Sequence, residues 1–123
     1  METNQPIVQV ETSGIFERQF RSLFKRYRKI RADVQPVIEQ LQAGKVLGDR
    51  LSGLNIVVFK VRVKNSDIQK GKSAGYRLIY QIETPTRIIL LSIYAKSDQS
   101  SISTNEIEEI VEAFKLPQEQ SEI

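Results

Sequence analysis

The spacing of hydrophobic and polar positions changes several times along the 123-residue chain, and each change marks an element. Residues Ile7 to Val10, β-branched except at Gln9, predict a first strand. Thr12, Ser13 and Gly14 interrupt it and can cap a helix. Phe16, Phe20, Leu23, Phe24 and Tyr27 then recur at i, i+4, i+7, i+8 and i+11, one apolar stripe at helical period. A second stripe, Val34, Val37, Ile38 and Leu41, predicts another helix. Asp33 is its expected N-cap, Pro36 falls in its first turn and Gly44 lies beyond its end. The two helices should form a hairpin.

Residues 44–54 read as loop, and from Ile56 the period becomes two. Val57, Phe59, Val61 and Val63 share one face; Val58, Lys60, Arg62 and Lys64 share the other. Residues 65–75 form a polar, glycine-containing loop with Lys70 and Lys72, expected to be the mobile functional loop. Tyr76 to Ile82 is the next strand, and Glu83 to Thr86 a turn. Arg87 to Ala95 is nearly all apolar, as a buried central strand would be. Ser103 and Glu106 stand at capping-box spacing before Ile107, Ile110, Val111 and Phe114, a final helix that Pro117 ends. The order β-α-α-β-β-β-α predicts an α+β domain, a helical hairpin packed on a small, mainly antiparallel twisted sheet. One domain is expected over residues 1–117, with 118–123 a frayed tail.

Composition removes whole classes of chemistry. There is no cysteine and no histidine, so disulfides, thiolate metal sites, cysteine nucleophiles and imidazole acid–base catalysis are all excluded. No apolar run approaches a membrane span, and residues 1–6 lack the basic start and apolar stretch of a secretory signal, so a soluble cytoplasmic protein is the expectation. Net charge is +3, which hides strong segregation. Residues 17–31 hold seven Lys/Arg against one acid, and residues 59–77 hold six against one. Residues 78–123 hold three cations against eight acids. Cationic blocks attract polyanions, although a solvated helix face and a lysine-guarded sheet edge would look the same. The sole Gly-Lys-Ser, at 71–73, lacks the upstream glycine of a nucleotide-binding loop and lies between two strands.

The ordered set of Phe59 to Val63, Lys70 to Gly75, Tyr76 to Tyr80 and Leu91 to Lys96 resembles the strand–loop–strand of the RelE/ParE toxin superfamily, its RelE/HigB-like branch in particular. The basic first helix and the loop Leu47 to Gly53 fit as well, so the resemblance spans about residues 7–115. It implies a RelE-like, microbial-RNase-like fold and a small bacterial toxin that cleaves mRNA in the ribosomal A site. It also implies a cognate antitoxin that holds the toxin inactive, no metal and no small-molecule cofactor. Carried over by position, the resemblance implies catalytic roles for Lys60, Arg62, Arg77 and Lys96, and places Lys64, Lys70 and Lys72 at the RNA phosphates.

Residue chemistry is compatible with that reading. RNA cleavage without metal needs a base for the 2′-hydroxyl, cations for the phosphorane and an acid for the leaving 5′-oxygen. A lysine serves as base when neighbouring cations favour its neutral amine, which nominates Lys60 beside Arg62. Arg77 suits the phosphorane, and Lys96 or Lys72 the acid or a further phosphate clamp. Tyr76 or Tyr94 could stack a base. Several RNase members of the family carry a tyrosine or histidine near the start of the final helix, where this chain reads Ser97 to Ser103 and offers neither. Two alternatives therefore stand: a ParE-like inhibitor of DNA gyrase, and a member that binds RNA or protein without cleaving.

Overall fold

The computed structural model describes residues 8–68 and 74–116. The elements are β1 (Gln9–Thr12), α1 (Gly14–Arg26), α2 (Ile30–Gln42), β2 (Asp49–Arg50), β3 (Val58–Val63), β4 (Tyr76–Thr84), β5 (Arg87–Ala95) and α3 (Thr104–Lys115). The strands form an open mixed sheet in the order β1-β5-β4-β3-β2. β1 lies parallel to β5, and the other pairings are antiparallel. The fold is the α+β arrangement the sequence predicts, with the helical hairpin on the sheet. The short β2 is an addition, because residues 44–54 read as loop throughout. The expected tail at 118–123 lies outside the described residues.

Ser13 starts α1: its Oγ accepts from the Phe16 N–H at 3.0 Å. The aromatic stripe faces inward, with Phe16 and Leu23 buried and Phe20, Phe24 and Tyr27 packed beside them. α2 begins four residues earlier than its stripe suggests, and Asp33 is not its N-cap. Asp33 sits inside the helix, buried, and accepts from the Ser66 N–H at 2.9 Å and from the Ser66 hydroxyl. The start of α2 is capped from a distance, where Asp67 Oδ2 accepts from the Lys29 N–H at 2.9 Å. Pro36 consequently lies in the interior of α2. Ser103 and Glu106 do form the predicted capping box of α3.

Two cores form on the two faces of the sheet. Val61, Val63, Tyr76, Leu78, Tyr80, Ile88, Leu90, Ile93 and Ala95 pack against α1 and α2. Val58, Ile79, Ile89, Leu91 and Tyr94 pack against α3. Opposite Ile79 and Tyr80, β5 carries one extra residue, a bulge. Strict alternation from Ile89 and Leu91 would put residue 93 on the α3 face; the bulge puts Tyr94 there instead. Beyond the end of β1, side chains of α1 and of its N-cap close the outer edge of β5. Ser13 Oγ donates to the Leu91 carbonyl at 2.9 Å, and Gln19 Oε1 accepts from the Ile93 N–H at 2.9 Å.

Candidate nucleic-acid interface

Alternation along β3 puts Lys60 and Arg62 on the face of Val58, the α3 face. Register then assembles a row across three strands: Arg62 lies opposite Arg77, and Arg77 lies opposite Tyr94. Neighbouring strands are about 4.8 Å apart, so these positions are adjacent. Lys60, opposite Ile79, stands about 7 Å along β3 from Arg62. Lys96 follows the end of β5, where its N–H donates to the Gly75 carbonyl at 2.9 Å. Lys64 follows the end of β3 on the alternation that Lys60 and Arg62 begin. The row ends where α3 begins to cover the sheet, so an apolar patch borders a cationic one on a single face.

Exposure separates these residues. Arg62 and Lys64 are exposed, and Lys60 and Lys96 are half-buried. Arg77 is 5% exposed; its Nη1 donates to the Tyr76 carbonyl at 3.2 Å. Among the described residues, the ion pairs join Arg26 to Asp98, Arg87 to Glu11 and Glu83, and Lys115 to Glu112. None of them engages Lys60, Arg62, Lys64 or Lys96. The acids of α3 therefore leave these four cations to solvent or to a ligand. Lys70 and Lys72 lie outside the described residues.

The two tyrosines part company. Tyr76 lies on the opposite face, fully buried against α1, with its ring edge-on to Tyr27 at 5.8 Å. The sequence expectation that it stacks a base on the cationic face is therefore corrected: period two puts it one position out of phase with Arg77. Tyr94 shares the face of Arg77 but is 4% exposed, its ring packed with α3 residues rather than presented to solvent. Burial pushes the Tyr94 hydroxyl above the usual phenol range, with Arg77 acting against the shift and Glu106 adding to it.

Two supporting residues were not singled out from the sequence. Gly48 has a φ of 83°, and a Cβ there would lie 2.2 Å from the Lys60 carbonyl oxygen. Glycine lets the β2 segment close over the backbone that carries Lys60. Gln19, on the α1 stripe's flank, holds Ser92 and Ile93 and so fixes β5 next to Tyr94. The Gly-Asp pair in the 44–54 loop is a signal for the first. Nothing local marks the second.

A comparison with protein-family models matches residues 14–122 to the RelE toxin of the RelE/RelB toxin–antitoxin system. The chain belongs to the RelE toxin family. A RelE-family toxin implies a cognate antitoxin partner. No curated protein matches the chain. Among the described residues of this RelE-family chain, no helix is long and apolar enough to cross a membrane.

Proposed function

We propose that this RelE-family toxin cleaves mRNA on the ribosome with the cationic face of β3, β4 and β5. The supporting observation is the cross-strand placement of Lys60, Arg62 and Arg77 on one sheet face, outside the ion pairs of α3 for the first two. In this reading the Lys60 amine removes the ribose 2′-proton. The 2′-oxygen bonds to the adjacent phosphorus, and the bond from phosphorus to the 5′-oxygen breaks. Arg62 and Arg77 stabilise the phosphorane charge, and Lys96 returns a proton to the 5′-oxygen. The products are a 2′,3′-cyclic phosphate and a free 5′-hydroxyl, so the step needs no external reactant. Lys64 holds a flanking phosphate. The cytoplasm, where ribosomes and mRNA meet, is the proposed site of action.

Primer extension on transcripts after induced expression tests the proposal. Cuts in phase with codons are expected from the wild type, and their loss is expected from Lys60→Ala and Arg62→Ala. Intact transcripts on induction of a toxic wild type would overturn it. The burial of Arg77 and Tyr94 favours a second reading, in which the face docks RNA or a protein target without cleaving. Gyrase inhibition is one form of it, and supercoiling defects without cuts would select that form.

A further inference from the structure

The outer edge of β5 is closed only in part. Arg77 lies opposite Tyr94, and the Lys96 N–H donates to the Gly75 carbonyl, so the backbone groups of Ser92 and Tyr94 turn toward β4. Those of Ile93 and Ala95 turn the other way, past the end of β1, whose pairing with β5 stops at Leu90. Two of these four groups are taken. The Ile93 N–H donates to Gln19 Oε1 at 2.9 Å, and the Ala95 carbonyl accepts from the Asp98 N–H at 2.9 Å. Among the described residues no hydrogen bond reaches the other two, the Ile93 carbonyl and the Ala95 N–H. Both residues are buried, at 1% and 2% exposure. Buried backbone donors and acceptors are nearly always matched, by protein, by water or by a ligand.

A recess of about 160 Å³ lies against this stretch, between α1 and the turn that follows β5. Leu23, Ile93 and Tyr94 are the buried members of its wall, and Ser22, Arg26 and Gln99 the exposed ones. The ion pair of Arg26 with Asp98 ties its two sides together. Gln19 lines it as well. The Gln19 Oε1 accepts from both the Ser92 hydroxyl and the Ile93 N–H, which fixes the amide and leaves its Nε2 as a donor. The wall therefore combines the apolar Leu23 with a backbone acceptor and with donors held in place by the fold.

An added peptide strand does not suit this edge. Ser13 Oγ occupies the Leu91 carbonyl, Gln19 the Ile93 N–H, and the 98–99 turn the Ala95 carbonyl, so one acceptor and one donor remain between filled positions. A single flat group with a donor and an acceptor on one edge matches such a pair, and a nucleobase is a group of that kind. We propose that this recess is a nucleobase site, in which the Ile93 carbonyl accepts from a base N–H and the Ala95 N–H donates to a base nitrogen or oxygen. Lys96 directly follows Ala95, and Tyr94 shares the face of Arg77, so the recess adjoins the cationic row. Its role in setting the base preference beside the cut rests on the proposed RNA cleavage, but the binding itself does not.

The test titrates the whole chain, labelled for amide NMR, with each of the four nucleoside 5′-monophosphates. Ribose 5-phosphate is the control without a base, and N-acetylglycinamide the control for a peptide group. At least one nucleotide is expected to shift the Ala95 amide resonance and slow its exchange, with a Kd of about 1 mM or tighter. Ser22→Trp places a large ring at an exposed position of the recess and removes no ion pair among the described residues. It is expected to weaken that nucleotide by about tenfold or more, and Ser22→Ala to bind it as wild type does. In primer extension Ser22→Trp should still cut transcripts, with a changed base preference at the cut. An Ala95 amide that no nucleotide moves would overturn the proposal. So would an equal response to either control, or unchanged affinity and cut preference in Ser22→Trp. Nucleotide binding at Ala95 with no cleavage by the wild type would sink the enzymatic reading and leave this site standing. Cleavage with a silent Ala95 amide would do the reverse.

Discussion

Three tyrosines in the central strands present the same side chain in three settings. The Tyr80 hydroxyl donates to the Leu47 carbonyl at 2.6 Å and accepts from the Leu47 N–H at 2.8 Å. The hydroxyls of Tyr76 and Tyr94 are buried with no hydrogen-bond partner among the described residues. A buried polar atom left unmatched costs stability, so Tyr94→Phe should be neutral or stabilising, whereas Tyr80→Phe should lose about 1–2 kcal/mol. Urea midpoints of the two variants against wild type check this contrast. Burial raises all three phenols above their ordinary value. Their contribution to stability is therefore complete below about pH 10 and falls as pH rises further, because the unfolded chain releases those protons first. A stability–pH profile that stays flat above pH 10 would contradict the burial. Gly48 is another residue whose identity is fixed by contact. Gly48→Ala meets both a positive φ and the Lys60 carbonyl, and should cost about 3 kcal/mol or more, measured by thermal unfolding.

At the scale of elements, capping was legible where the partners are close in sequence and illegible where they are not. Ser13, and Ser103 with Glu106, serve the residues just after them, and a local pattern reveals local bonds. The start of α2 depends on Asp67, thirty-eight residues away, and no spacing rule could reveal it. Asp33 looked like a cap because it precedes the apolar stripe. It is instead the acceptor that anchors Ser66, which ties the segment after β3 to the helical hairpin. Residues 65–68, read from sequence as part of a mobile loop, are thus pinned at their start by Asn65, Ser66 and Asp67. Asp33→Ala should cost about 1–2 kcal/mol through its lost bonds to the Ser66 N–H and hydroxyl, and Asp67→Ala about 1 kcal/mol through the lost cap. Denaturant melts of both variants, with increased amide exchange near Lys29 in the second, test the two roles separately.

The whole molecule separates charge by face and by end. Cations lie on the outer side of α1, cations again on the far face of the sheet, and acids on α3. The sheet order puts β4 between β3 and β5, and that single fact brings Arg62, Arg77 and Tyr94 into a row. Lys60→Ala/Arg62→Ala should abolish transcript cleavage while leaving the melting temperature within about a degree or two of wild type, since neither residue joins an ion pair among the described residues. A large drop in stability would instead assign these residues to the fold.

Periodicity alone determined the three helices, the long strands, the α+β class and the shared face of Lys60 and Arg62, because each depends on neighbours within a few turns or strand residues. The tertiary structure decided what depends on distant backbone. The bulge in β5 moved Tyr94 onto the cationic face, and strand phase put Tyr76 on the opposite one. The return of residues 65–67 to α2 made Asp33 an anchor, and the sheet buried Arg77. Hydrophobic spacing records which side of an element is wet, whereas register and long-range pairing are set by contacts that no short stretch of chain contains.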